Sequence, residues 1–209
     1  MTGIASIRTA LAGAAPPAGY AWLESALAAI AARPAAIGRL FPAAGRHCGR
    51  SPLSTVDGWT LDEAARAVLI AALPLTGDAL AAEVEALYRY GDAAEKRAVL
   101  KALPLIADRI GDAGVALSRD ALRTNDTRLV AAALGPYAAR LDAAAWRQGV
   151  LKCVFMGVPL EVVADLDTRG DADLAVMLAG LADERHAAGR TMPADATALL
   201  TRLAKETAA

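Results

Sequence analysis

Aromatic residues make up only 4% of this 209-residue chain, and cysteine occurs just twice, at Cys48 and Cys153. Two thiols so far apart in a chain read as cytosolic are expected to stay reduced rather than form a disulfide. Runs of β-branched residues in period-two alternation are missing, so no sheet is expected. Long apolar runs are missing too. The longest, Ala26 to Ala32 and Ala67 to Leu75, fall well short of the ~20 residues a membrane span needs. The mean hydropathy of +0.34 does not alter this, because alanine inflates it. Arg8 precedes the stretch Thr9 to Ala15, which is too short and interrupted for the apolar core of a leader. It is expected to be a first helix or a frayed arm, and a cytoplasmic location is the default.

Excess positive charge is also lacking. A formal net charge of −1 and a pI near 6.1 argue against nucleic acid as a partner, since binding phosphate needs a basic face that displaces counterions. Metal donors are few. His47 and Cys48 are adjacent in a Gly/Arg-rich stretch, but His186 and Cys153 are the remaining imidazole and thiol donors, and a site needs three or four that converge. No metal or cofactor is expected. Neither His stands beside a recognisable nucleophile elbow, and no Gly-Lys-Ser/Thr phosphate loop occurs. Asp171-Ala172-Asp173 is the nearest thing to a carboxylate cluster for Mg²⁺, and a helix N-terminus accounts for acids there. No catalytic residue can be nominated, and the balance lies against an enzyme.

What the chain has in abundance is alanine, about a quarter of its residues, the best helix former because it loses no side-chain entropy on folding. Starts, stops and apolar spacing give a succession of helices: Tyr20 to Arg33, a short one to Leu40, then a long loop from Pro42 to Gly58. Thr60-Leu61-Asp62-Glu63 and Asp92-Ala93-Ala94-Glu95 read as capping boxes that open helices ending before Pro74 and Pro104. Gly77-Asp78 starts the helix between them. Further helices are expected over Ala107 to Arg123, Thr127 to Leu134, Asp142 to Phe155, Pro159 to Leu166, Asp171 to Ala188 and Pro193 to Lys205. Trp146, Val150, Cys153 and Val154 form one apolar stripe; Leu174, Met177, Leu178 and Leu181 form another. The fold class is all-α, stacked antiparallel short helices, either a HEAT/armadillo-like α-solenoid or an irregular helical bundle. One all-helical domain is expected over residues 1–209, with 1–58 less regular and 59–209 a stack of helical hairpins.

Three segments are more polar than a structural helix requires. Tyr88 to Arg97 offers Tyr88, Tyr90 and Arg97 as a lip for a partner or an anionic ligand; capping by Asp92 and Glu95 and a solvated face at Glu95-Lys96-Arg97 are the plainer account. Arg123 to Arg128 carries Asn125, Asp126 and Arg128 in a helix break, where Asn125 or Asp126 is a natural N-cap and a tie between neighbouring turns. In the third, Ala145 to Leu160, Trp146 belongs to the core. Lys152 lies one turn after Gln148 on the flank of the apolar stripe, placed either to act chemically or to reach out to water.

These segments also carry a family resemblance. Tyr88-x-Tyr90-Gly91-Asp92-x-x-Glu95-Lys96-Arg97, Asn125-Asp126-Thr127-Arg128-Leu129, Trp146-Arg147-Gln148-x-Val150-Leu151-Lys152-Cys153 with Gly157-Val158-Pro159-Leu160, and Glu184-Arg185-x-Ala187-Ala188-Gly189-Arg190 together resemble the EboA family, over about Asp78 to Arg190. Members are encoded in bacterial clusters associated with a secondary metabolite or its export. Their neighbours resemble a prenyltransferase, a TatD-like hydrolase, a dehydroquinate-synthase-like enzyme and a sugar-phosphate-isomerase-like barrel. The resemblance implies a part in metabolite production or traffic and transfers no active-site residue. The leading expectation is a non-catalytic scaffold that binds proteins of the same pathway. The alternative is a small-molecule binder, or an unrecognised enzyme, with a cleft lined by Tyr88, Tyr90, Arg97, Asn125, Asp126 and Lys152.

Overall fold

A computed structural model describes residues 3–208. It is all-α, and no strand is present among the described residues, where an isolated bridge between Pro52 and Thr60 is the sole β pairing. The helices are α1 (Ile4–Ala14), α2 (Pro17–Ala32), α3 (Ile37–Cys48), α4 (Leu61–Ala71), α5 (Gly77–Tyr90), α6 (Ala93–Ala102), α7 (Ala107–Ile110), α8 (Val115–Arg123), α9 (Thr127–Ala133), α10 (Ala143–Met156), α11 (Leu166–Arg169), α12 (Ala172–Ala187) and α13 (Ala194–Ala208). Among the described residues, no helix is long and apolar enough to cross a membrane. The chain divides into two compact units between Leu117 and Ser118.

In the first unit α4 is enclosed by α1, α2, α3 and α6. Every residue from Leu61 to Ile70 is buried, Asp62, Glu63 and Arg66 included. Carboxylates and a guanidinium so deep must pair or meet hydrogen-bond partners. Arg66 Nη1 lies 2.5 Å from Asp62 Oδ2, its Nε donates to the Phe41 carbonyl at 3.1 Å, and its Nη2 is 3.8 Å from Glu95 Oε1. Glu63 accepts from the Thr60 amide, which closes the expected capping box, and also from Arg97 and Lys101. Three acids thus meet three cations. Lys101 additionally lies over the Trp59 ring at 4.6 Å. Burial pulls its ammonium below the usual lysine range, against the opposing attraction of Glu63.

Three expectations need correction. The stretch from Pro42 is not a loop: α3 runs through it to Cys48 and stops at Gly49, whose φ of 83° suits glycine. Proline inside a helix removes the bond to the carbonyl four residues earlier, here that of Gly38. Gly38 is exposed, so water can replace the lost donor. The helix expected over Ala107 to Arg123 is interrupted, with a 3₁₀ turn over Gly111–Gly114 between α7 and α8. Pro159 to Leu166 is not a helix either, but the 3₁₀ turn Leu160–Val162 followed by the start of α11.

In the second unit α10 packs against α9 and α12, and α12 against α13. The first stripe expected on α10 is the buried one: Trp146, Val150, Cys153 and Val154 are all in the core. Of the stripe on α12, Leu174 and Leu178 are fully buried, while Met177 and Leu181 are half-buried.

Candidate functional site

The three polar segments have different fates. Asp126, not Asn125, is the N-cap of α9: its Oδ1 accepts from the Arg128 and Leu129 amides at 2.8 and 3.3 Å. Arg128 stays largely exposed, 3.6 Å from the same oxygen. In the first unit Tyr88 is buried, with Lys96 over its ring at 5.2 Å, and Tyr90 is 84% exposed. Arg97 is committed to Glu63, and Glu95 is buried, so this stretch is not the solvated face that surface charges usually form. A capping box accounts for the acids: Asp92 Oδ1 accepts from the Glu95 amide and Glu95 Oε2 from the Asp92 amide.

Asn125 and Lys152 come together. Both line a groove of 580 Å³ in the second unit, within the range of small-molecule sites. From α8 it takes Arg119, Leu122 and Arg123, three positions spaced to share one helical face. From α10 it takes Ala145, Gln148, Gly149, Lys152, Phe155 and Met156, a second such face, joined by Leu151; Leu181 of α12 completes it. Asn125 stands in the turn after α8.

Local sequence positions these elements. Asp142 caps α10 by accepting from the Ala145 amide at 2.8 Å, and it also accepts from Arg119. The Ala145 amide, assisted by Arg119, holds this carboxyl below its usual range. At Gly149 the α10 backbone comes so close to its neighbours that a Cβ would lie 2.7 Å from Leu134 Cδ2 and 3.5 Å from Leu122 Cδ1. The missing side chain lets α10 seat against Leu134, while Leu122, Gln148 and Lys152 line the groove. Farther along, Arg147 is drawn away to Asp171 and Asp173.

Asn125 and Lys152, and the one-turn spacing from Gln148 to Lys152, stand out in the sequence. The place of Arg119, Arg123, Phe155 and Met156 on the same groove does not. The signal available was the coincidence of two helical faces, but spacing along one helix does not say which face meets another.

Cys48 and Cys153 are free and buried; burial pushes their thiols up to about 11 and about 12. His47 stacks on Trp22, with ring centroids 4.4 Å apart, rather than turning to join Cys48 in the core. Among the described residues no group of three His, Cys, Asp or Glu side chains is placed to hold a metal ion.

Compared with known proteins, the chain matches over residues 54–200 the model of a family described as metabolite traffic protein EboA. No curated protein and no solved structure matches it.

Proposed function

The chain belongs to the EboA family of metabolite traffic proteins, and from that premise we propose that it acts by holding a small-molecule metabolite in the α8–α10 groove without transforming it, in the cytoplasm. The observation that carries this reading is the meeting of Asn125, Gln148 and Lys152 around a concavity whose lining also carries Leu122, Leu151 and Leu181. A few polar groups over apolar surface is the ordinary composition of a ligand site. Chemistry is not required of it, since the sequence pairs no nucleophile with a base. The test is native mass spectrometry of the full chain after incubation with an extract of cells that carry its gene. A retained small molecule is expected, and Ala145→Trp, which fills the groove with an indole, is expected to abolish retention at unchanged thermal stability. Retention of nothing, or retention indifferent to Ala145→Trp, would sink the reading.

A second reading, the scaffold for pathway proteins, draws support from Tyr90, which is 84% exposed on the first unit at a residue type enriched in binding hot spots. It expects pathway enzymes to co-purify with the chain and to be lost with Tyr90→Ala. A monodisperse protein that captures none of them speaks against it.

A further inference from the structure

The groove's side chains restrict what it can hold. Three cations line it, Arg119, Arg123 and Lys152, and no carboxylate does. Arg119 is occupied by Asp142. Neither Arg123 nor Lys152 has a carboxylate partner among the described residues. Several other cations of the same unit are engaged: Arg147 by two aspartates, Arg169 by the Ala138 and Leu141 carbonyls, and Arg202 by Asp167 and Glu206. Two unengaged cations in one concavity make a site complementary to negative charge.

Apolar surface lies beside that charge. Phe155 is 69% exposed, one of the few large apolar side chains so open to solvent, and Met156 is its neighbour on the lining. Along α10 the order is Gln148, Lys152, then Phe155 and Met156. The helical rise sets the last pair about 5 Å beyond Lys152. Polar and apolar surface therefore succeed one another along a single axis, and a molecule lying along it would need an acid at one end and a hydrocarbon body at the other. A flat membrane would not reach the floor of a concave site.

We infer that the groove takes an amphipathic anion, its carboxylate or phosphate set against Arg123 and Lys152 and its apolar body over Phe155 and Met156. This rests on the small-molecule reading above. Isothermal titration of the full chain with decanoate, decyl phosphate, decanol and decyltrimethylammonium, each below its aggregation threshold, tests it. Both anions are expected to bind, the stronger one naming the headgroup, and the alcohol and the cation to bind at least about tenfold more weakly, the order of a charge-assisted hydrogen bond. Arg123→Gln and Lys152→Gln should each weaken the anions by about tenfold, while Lys152→Arg keeps binding and so separates lost charge from lost packing. Decanol binding as tightly as the anions, or affinities unmoved by both glutamine variants, overturns the inference. So does heat from anionic phosphatidylglycerol vesicles alone, which would indicate a lipid surface. If no anion binds but a cell extract still yields a molecule lost with Ala145→Trp, the charge argument fails and the small-molecule reading stands. If neither is seen, both fall.

Discussion

Arg66 shows how much of this molecule turns on single charged side chains. It is 1% exposed and meets Asp62, the Phe41 carbonyl and Glu95 from the centre of the first unit. A buried ion pair adds little beyond a well-packed apolar pair, but removing one partner strands the other, at a cost of about 3–5 kcal/mol. Arg66→Met is therefore expected to lower stability by about that amount in urea unfolding, and the double variant Asp62→Leu/Arg66→Met to recover much of it. An unchanged midpoint for the single variant would mean that Asp62 finds other partners. Asp171 makes a pH-dependent contribution of the same kind. The hydrogen bond from Arg147, with the Leu174 amide, holds its carboxyl below the usual range. An acid whose folded value lies below its unfolded value stabilises fully above the unfolded value of about 3.9 and loses that contribution as pH falls through the folded value. Thermal melts should thus show Asp171→Asn less stable than the parent at pH 7, with the difference narrowing as pH falls below about 4.

At the scale of an element, helix ends decide what packs where. The C-terminal carbonyls of a helix have no partner within it, and the end of α4 points its own at a side chain from far along the chain. Arg109 donates from Nη1 to the Ala71 carbonyl at 2.7 Å, from Nη2 to Leu75 at 2.6 Å, and to Leu73. Three carbonyls on one guanidinium fix the turn after α4 against α7. Arg109→Ala is expected to destabilise by about 1–3 kcal/mol, the cost of hydrogen bonds to a charged group, and Arg109→Lys to restore only part, because an ammonium lacks the planar fork. Hydrogen exchange should localise the loss to the last turn of α4; protection unchanged there would contradict the assignment. The N-terminal ends were legible beforehand, as the boxes at Thr60 and Asp92 show, because an N-cap is satisfied within four residues. The C-terminal staple was not, since Arg109 lies 34 to 38 residues from its acceptors.

Across the whole molecule the two cysteines report on the two compact units, Cys48 on the first and Cys153 on the second. Both thiols are buried and pushed up, so the native chain presents neither an accessible nor an ionised sulfur at pH 8. The variants Cys48→Ala and Cys153→Ala each leave one reporter for a disulfide reagent. The expectation of one domain translates into coincident urea midpoints for the two thiols and for far-UV circular dichroism. Separate midpoints would mean that the units open independently.

Local residue pattern was enough to give the all-α class, the capped starts of α4 and α6 and the buried stripe of α10, and composition alone to give the scarcity of His and Cys. The structural features depend on residue type and on spacings within one or two helical turns. Alanine and the missing β-branched alternation settled the first. Packing between helices carries α3 through Pro42, places Asp62, Glu63 and Arg66 in the interior and brings Arg97 to Glu63. It alone set Arg123 and Lys152 on one groove. These outcomes depend on which helix covers which face, and a helix's own periodicity carries no information about the partner that will enclose it.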